Sequence, residues 1–269
     1  MNLDPAPRSA LYLPASNARA IEKVRGLACD MVILDLEDAV KPADKDVARD
    51  QAVAAMEQGF GDRVAAIRIN APHTVEHGKD LVAAARSRAD LIVIPKVEQA
   101  EQARSVAAIV GRPVFAMIET PLGILNAASI AAEQHVAGLI AGTNDIAYEL
   151  RIPDGVGRPP LALALQMIVL AGRAGGVIVL DGVFNKLDDA DGLLAECAEG
   201  HALGFDGKSL IHPNQIGPAN AAFGPSPAAI EEAEALVAAA TGGAERYRDR
   251  MIESMHVEAA KRLLRRASR

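Results

Sequence analysis

The stretch PVFAMIETPLGILNAASIAAEQHVAGLIAGTNDI, residues 113–146, decides the predicted fold. Its two apolar runs, VFAMI and VAGLIAG, have the length and composition of buried strands, and each leads to a carboxylate, Glu119 or Asp145. The segment PLGILNAASIAAEQ between them has the length and periodicity of one crossover helix. We therefore predict a βαβ unit whose two acids lie at the carboxyl ends of parallel strands, where α/β folds place their sites.

The same alternation of strand and helix continues along the whole chain. The strands are near-continuous apolar runs, which is typical of parallel strands buried on both faces. Further strands are predicted at 9–15, 31–38, 63–70, 91–96, 176–182 and 205–213, and further helices at 17–27, 44–58, 74–88, 99–110, 161–173, 189–203 and 214–223. This gives eight strand-plus-helix units. A (β/α)8 barrel needs about 250 residues, and the chain has 269.

We predict an α/β fold, a (β/α)8 TIM barrel with additional C-terminal helices. The barrel is the catalytic domain, residues 1–225, and residues 226–269 form the helical extension. The extension should contain alanine-rich helices at 227–240 and 244–266, with too much apolar surface to stand alone. We therefore expect it to pack on a neighbouring subunit of a homo-oligomer.

Composition excludes several classes of partner. The chain has 28 basic and 35 acidic residues, 3% aromatic residues and no Trp, whereas a nucleic-acid surface needs clustered basic charge. No apolar run approaches a membrane span, and the N-terminus has no signal-length apolar segment. Cys29 and Cys197 lack metal-ligand spacing and are predicted to be core or near-core residues of a reducing compartment. We expect a cytoplasmic protein with no nucleic-acid or membrane partner.

Charged side chains gather at the predicted carboxyl ends of the strands. The second strand ends in LDLEDA, residues 34–39, and the third ends with Arg68 and Asn70. Other strand ends carry Lys96, Glu119, Thr143, Asn144, Asp145, Asp181 and His212. Mg²⁺ takes oxygen ligands, usually one or two carboxylates, and leaves its other positions to water and substrate. An arginine can bind a substrate carboxylate bidentately. The pattern predicts a divalent-metal site for an anionic oxygen substrate.

Each of these acids also has a structural interpretation, as a helix N-cap or as the partner of a base. For Asp35 and Asp181 the structural and functional interpretations are equally supported. For Glu37, Glu119 and Asp145 the position at the barrel edge favours function. Lys96 could form a Schiff base, but the acids around it favour a charge partner.

Seven segments, in this order, resemble the citrate lyase β-subunit (CitE-like) family of the HpcH/HpaI aldolase superfamily, whose relatives include malyl- and citramalyl-CoA lyases. They are RSALYLPASNARAIEKV, VILDLEDAV, IRIN, IVIPKVE, IETPLGILN, GTNDI and GKSLIHPNQI. The resemblance implies a trimeric or hexameric barrel that uses Mg²⁺ to cleave or form a C–C bond. Its substrates would be 3-hydroxyacyl thioesters such as citramalyl-, malyl- or citryl-CoA, and its products an α-keto acid and a shorter acyl-CoA.

The resemblance also assigns residues to roles. It implies that Glu119 and Asp145 bind the metal and that Arg68 holds the keto-acid carboxylate. Glu37 and Asp38 would be supporting acids that reach the metal through water. The implied substrate-binding residues are Arg8, Arg68, Glu119, Gly142 and Thr143, with residues 8–23 helping to hold the thioester carrier.

One predicted catalytic position departs from the family. In the related lyases the acid/base is an aspartate in a C-terminal Met-Ile-Asp-x-Pro segment of a neighbouring subunit. The matching residues here are Met251-Ile252-Glu253-Ser254-Met255. Glu253 would be the acid/base, although a misplaced reacting group can cost ~10²-fold in rate. A thioesterase acting on the same substrates, or a non-catalytic protein that binds a keto acid or acyl-CoA, are the alternatives.

Overall fold

The computed structural model describes residues 3–267, and within them eight parallel strands form a closed barrel. The order around the barrel is the order along the chain, and β8 pairs with β1 to close it. The strands are β1 Ser9–Pro14, β2 Met31–Asp35, β3 Val64–Arg68, β4 Leu91–Ile94, β5 Val114–Ile118, β6 Val136–Ala141, β7 Ile178–Asp181 and β8 Gly207–Leu210. The predicted TIM barrel is confirmed.

Helices surround the barrel, and apolar side chains fill the space on both sides of the strands. The helices are α1 Ala18–Val24, α2 Lys45–Gln58, α3 Val75–Arg86, α4 Ala100–Val110, α5 Pro121–Leu125, α6 Ala127–Ala131, α7 Thr143–Glu149, α8 Ala162–Gly175, α9 Ala190–Leu203 and α10 Ile216–Phe223. Inside the barrel, Ile33, Phe115 and Leu180 are completely buried members of one apolar cluster. The core is therefore packed through its centre, and the fold favours a site at the carboxyl-end loops.

The connection between β5 and β6 differs from the single predicted helix. It contains α5 and α6, which are separated at Asn126. The Asn126 backbone has φ −96° and ψ 2°, outside the helical region, and its side-chain amide donates to the carbonyl of Glu98 at 2.8 Å. This contact with the preceding loop breaks the helix.

The C-terminal extension also differs from the prediction. It contains α11 Pro227–Ala239, an antiparallel hairpin of β9 Glu245–Tyr247 and β10 Arg250–Ile252, and α12 Ser254–Ala267. The predicted helix at 244–266 is therefore wrong before residue 254, where α12 begins. These elements share a small core of their own, Ala233, Leu236, Tyr247, Ile252 and Ala260. The boundary at residue 225 stays a prediction.

Two predictions from composition can be compared with the structure. Cys29 and Cys197 are both free and buried, as expected. Among the helices of residues 3–267, none combines the length and the apolar character needed to cross a bilayer.

Candidate active site

A cavity of about 300 Å³ opens at the carboxyl ends of the strands. It is lined by Tyr12, Asp35, Asp38, Ala39, Arg68, Met117, Glu119, Ala141, Gly142, Thr143, Asn144, Asp145, Val183, Asn185, Ser209 and Ile211. Most of the residues predicted from the strand ends are in this set. The β/α loops therefore bring these side chains to one place, as the barrel-edge argument requires.

Arg68, the last residue of β3, is held in place by its neighbour on β2. Its Nε and Nη2 donate to the two carboxylate oxygens of Asp35 at 2.7 and 2.6 Å. Arg68 and Asp35 are register partners in the sheet, so the ion pair follows from strand pairing. The Arg68 guanidinium carbon also lies 4.8 Å from the centre of the Tyr12 ring. Arg68 is therefore fixed by Asp35 on one edge, and Glu37 Oε2 lies 3.0 Å from its Nη1, which leaves one N–H on each of Nη1 and Nη2 to bind a ligand.

The surroundings keep Arg68 charged. Burial alone would lower its pKa, but the hydrogen bonds and negative charge of Asp35 outweigh burial and raise the pKa above its ordinary value. A permanently charged, preoriented guanidinium suits bidentate binding of a carboxylate.

Glu119 and Asp145, the predicted metal ligands, face the same cavity and are linked through Lys96. Glu119 directly follows β5 and is 2% exposed, and its Oε1 accepts a hydrogen bond from the backbone N–H of Lys96 at 2.7 Å. Asp145 lies in the first turn of α7, and Lys96 Nζ is 3.3 Å from its Oδ1. Lys96 is therefore a charge partner, as predicted. Burial, together with the charge of Asp145, raises the pKa of Glu119 to about 7.

This donor set fits a magnesium ion. Glu119 is buried beside the like charge of Asp145, which makes ionisation of both carboxylates unfavourable. A cation bound between them would stabilise the ionised pair. Within residues 3–267, this site included, no group of three or more His, Cys, Asp and Glu side chains is arranged to hold a metal. A cation here would thus have two protein carboxylates, and its other positions would go to water and substrate, as Mg²⁺ prefers.

Gly142 and Thr143 form the wall behind Glu119. A Cβ at Gly142 would lie 2.3 Å from the Cβ of Glu119 and 2.4 Å from its Oε2. Glycine is therefore required for Glu119 to occupy its position. Thr143 begins α7 and packs against Gly182, where a Cβ would lie 2.4 Å from the Thr143 hydroxyl. The structure brings both predicted residues to the cavity.

Glu37 and Asp38 lie in the loop after β2 on the other side of Arg68. Glu37 is buried, and its Oε2 is 3.0 Å from Arg68 Nη1. Burial, reinforced by the nearby acids, raises the pKa of Glu37 to about 8, although Arg68 opposes this. The Asp38 side chain is 75% exposed and lies 3.9 Å from Arg68 Nη1. Glu37 is therefore the acid in this loop that is set up to exchange a proton near neutral pH.

Three predicted site residues, Glu37, Arg8 and Glu253, are not among those that line the cavity, although Glu37 contacts Arg68, which is. Arg8 precedes β1, so it lies at the amino end of the barrel, where its Nε and Nη2 donate to Asp30 at 2.8 and 2.9 Å. Arg8 is thus outside the candidate site. Glu253 is an exposed residue between β10 and α12 and does not line the cavity of its own chain.

The structure adds residues that the sequence analysis did not assign. Asp35, for which two interpretations were open, is the residue that orients Arg68. Tyr12 and Met117 form the apolar floor, and the Tyr12 hydroxyl lies 3.5 Å from Met117 Sδ. Strand alternation places Tyr12 on the inner face of β1, which is a signal that could have identified it.

Comparisons with known proteins agree with this geometry. Residues 8–213 match the family model described as HpcH/HpaI aldolase/citrate lyase, and residues 158–269 match the model described as C-C bond lyase of the TIM-barrel fold. A (3S)-malyl-CoA thioesterase from Cereibacter sphaeroides is 44% identical over 97% of this chain and 94% of the relative.

More distant relatives point in the same direction. The citrate lyase subunit beta of Leuconostoc mesenteroides subsp. cremoris is 33% identical over 89% of this chain and 84% of its own length. The crystal structure of CitE from Mycobacterium tuberculosis, in complex with magnesium, acetoacetate and coenzyme A, is 33% identical. It superposes with a TM-score of 0.82 over 97% of this chain and 98% of that one.

Proposed function

Because this chain belongs to the HpcH/HpaI aldolase/citrate lyase family, we propose that it is a Mg²⁺-dependent enzyme acting on the CoA thioester of a malyl-type 3-hydroxy acid. The observation that carries the proposal is the shared cavity of Arg68, Glu119 and Asp145. It combines an oriented guanidinium with two carboxylates that suit a hard cation. A substrate whose hydroxyl and carboxylate lie on the same carbon presents oxygens to both.

Each residue of the site has a distinct part in this proposal. Arg68, fixed by Asp35, binds the substrate carboxylate and offsets its charge. Glu119 and Asp145 hold the metal, and Mg²⁺ when bound supplies Lewis-acid polarisation and a template for the substrate oxygens. Glu37, with a pKa of about 8, takes up or gives back a proton beside Arg68.

Two reactions remain candidates, and each has its own support. Thioester hydrolysis is supported by the thioesterase relative, which is 44% identical over 97% of this chain. In hydrolysis, water adds to the acyl carbon, the C–S bond breaks and the free CoA thiol leaves with a proton. We place this reaction first, which reverses the order predicted from the sequence.

Cleavage of the C–C bond is the second candidate. It is supported by the citrate lyase relative and by the match of residues 158–269 to the C–C bond lyase model. The hydroxyl proton leaves, the bond to the hydroxyl-bearing carbon breaks, and the enolate of the shorter thioester takes up a proton. Its products from malyl-CoA would be glyoxylate and acetyl-CoA.

We also propose that the site is completed by a second subunit in a homotrimer or homohexamer. Glu253 is exposed and lies outside the cavity of its own chain. Met251 and Met255, on either side of it, are 63% and 62% exposed. Burying this apolar segment on a neighbouring barrel would be favourable, and Glu253 would then approach the cavity of that neighbouring subunit.

The direct test supplies citramalyl-, malyl- and citryl-CoA with Mg²⁺ and measures free thiol, keto acid and shorter acyl-CoA. We expect malyl-CoA to yield CoA and malate without glyoxylate, and EDTA to stop the reaction. Glyoxylate with acetyl-CoA would favour the lyase instead. Binding of glyoxylate without turnover of any thioester would contradict both reactions and leave a non-catalytic binding protein.

A pair of variants links that activity to the cavity. Arg68→Met should abolish turnover because it removes the group that binds the carboxylate. Arg88→Met removes an arginine whose side chain is 73% exposed and should leave turnover unchanged.

A further inference from the structure

Lys45 is the first residue of α2 and does not line the cavity. It forms hydrogen bonds with the loop that carries Glu37. Its Nζ donates to the carbonyl oxygens of Leu36 and Glu37 at 2.6 and 2.7 Å and to Asn70 Oδ1 at 2.7 Å. A lysine ammonium has three N–H donors, so all of them are used. Residues 36–39 are called the acid loop below.

Asp35 holds the acid loop from the opposite side. Its Oδ1 accepts from the backbone N–H of Glu37 at 2.9 Å, and its Oδ2 accepts from the N–H of Ala39 at 3.0 Å. The carbonyls of Leu36 and Glu37 therefore point to Lys45, and the amides of Glu37 and Ala39 point to Asp35. With the loop backbone held by Lys45 and Asp35, Glu37 Oε2 lies 3.0 Å from Arg68 Nη1.

Lys45 is itself kept in place by a buried network behind the loop. Asn70 donates its side-chain amide to Leu36 O at 2.8 Å and to Asp80 Oδ2 at 2.6 Å. Asp80 is completely buried and pairs with Arg49 Nε at 2.6 Å. Because buried polar groups of this kind are costly to leave unpaired, the network fixes the position of the lysine acceptors.

We propose that Lys45 is a positioning residue that holds Glu37 in the geometry that turnover requires. The inference rests on the proposed function, because Glu37 belongs to that site. Arg68 has its own bidentate partner in Asp35, so loss of Lys45 leaves the grip on the substrate carboxylate intact. The role of Lys45 should therefore appear in kcat and hardly in KM.

The first measurement does not depend on any reaction. Hydrogen–deuterium exchange of the peptide containing residues 36–39 reports whether the loop is held. In Lys45→Met, which keeps the chain length but removes every donor, we expect exchange roughly tenfold faster than in the wild type. Lys45→Arg should restore most of the protection. Lys41→Met, an exposed lysine four positions earlier, should exchange like the wild type.

The second measurement is turnover of the thioester with Mg²⁺. We expect kcat of Lys45→Met to fall on the order of 10- to 100-fold, because a small misplacement of a reacting group has an effect of this size. KM should stay near the wild-type value, and Lys45→Arg should recover most of kcat. If Lys45→Met does not fold, Lys45→Gln, which keeps a shorter amide donor, should show a smaller change in the same direction.

These outcomes separate the inference from the proposed function. Unchanged loop exchange in both Lys45→Met and Lys45→Gln would overturn the inference whatever the enzyme does. A loosened loop with full kcat would also overturn it, since Lys45 would then be merely structural. If the wild type turns over no thioester, the proposed function is wrong, and so is the role of Lys45 in turnover. The exchange measurement would still show whether Lys45 holds the loop.

Discussion

Arg68 and Asp35 are the pair on which the electrostatics of the cavity depend. Asp35 neutralises part of the Arg68 charge and fixes its plane, while Glu37 lies against the other side. Glu119 and Asp145 form a second centre around Lys96. In the proposed function, the Arg68 side of the cavity takes the substrate carboxylate and the side with Glu119 and Asp145 takes the cation.

Asp35→Asn should lower kcat/KM roughly 10²-fold, because the asparagine amide cannot accept both guanidinium N–H groups and Arg68 loses its orientation. Binding of glyoxylate with Mg²⁺, measured by calorimetry, should weaken in parallel. The exposed Asp62→Asn change is the control. Equal glyoxylate affinity in Asp35→Asn and the wild type would contradict the role given to Asp35.

In the metal-free protein, the free energy of unfolding should decrease as pH rises. The folded-state pKa values of Glu119 and Glu37 are raised to about 7 and about 8, against an ordinary value of 4.5. The folded state therefore binds more protons than the unfolded state between these limits, so stability is fully present near pH 4.5 and is lost through pH 7 to 8. Urea denaturation at several pH values measures this.

Glu37→Gln provides the control for the pH prediction. Since glutamine does not titrate, the free energy of unfolding of the variant should lose the part of its decrease with pH that extends up to about pH 8. Parallel curves for the variant and the wild type would show that Glu37 does not have a raised pKa.

The β/α loops carry the site, and their residue sequence made much of it predictable. The strands could be located because each is a continuous apolar run, and Glu119 could be placed because it directly follows β5. Asp145 was expected at a strand end but lies in the first turn of α7. That helix was not predicted, because its sequence TNDIAYE has no apolar periodicity.

Other parts of the site and fold could not be read in this way. Lys45 acts on backbone carbonyls eight and nine positions away, and this contact leaves no spacing pattern in side chains. The hairpin at the C-terminus has strands of three residues, too short for an alternation signal. Arg8, in contrast, could have been placed correctly, since a residue before a strand lies at the amino end of the barrel.

Gly142→Ala should greatly weaken Mg²⁺ binding, because the added Cβ would overlap the Glu119 side chain at 2.3–2.4 Å and displace it. Calorimetry with Mg²⁺ alone measures this independently of activity. Gly78→Ala is the matched control on α3, where no atom lies within 4 Å of the new Cβ. It should keep Mg²⁺ affinity and stabilise the helix by about 0.5–1 kcal/mol. Wild-type Mg²⁺ affinity in Gly142→Ala would contradict the assignment of Glu119 as a ligand.

The complete molecule is a packed barrel that carries a C-terminal unit with a small core of its own. Arg266 of α12 donates to the carbonyls of Asp206 and Phe223 at 2.6 and 2.9 Å, which ties the helix to the amino side of the barrel. The hairpin end of the unit carries the exposed Met251 and Met255. Such a segment is suited to contact with another copy of the chain.

We expect the wild type to be a trimer or hexamer by size-exclusion chromatography with light scattering. Replacing Met251 and Met255 together by lysine should dissociate it, because burial of charge at the predicted interface is unfavourable. Val47→Lys, at a valine that is 55% exposed on α2, should leave the assembly unchanged. A double variant with the wild-type mass would exclude this segment from the interface.

The packing of Arg68 over Tyr12 gives the protein an internal optical reporter. The chain contains no Trp and three Tyr residues, of which Tyr148 is 80% exposed and Tyr247 belongs to the C-terminal core. Near-ultraviolet circular dichroism should therefore register a ligand at Arg68 through the Tyr12 ring, without any label. Burial raises the pKa of Tyr12 above its ordinary value, so its phenol should ionise only at a higher pH than an ordinary tyrosine in an alkaline titration.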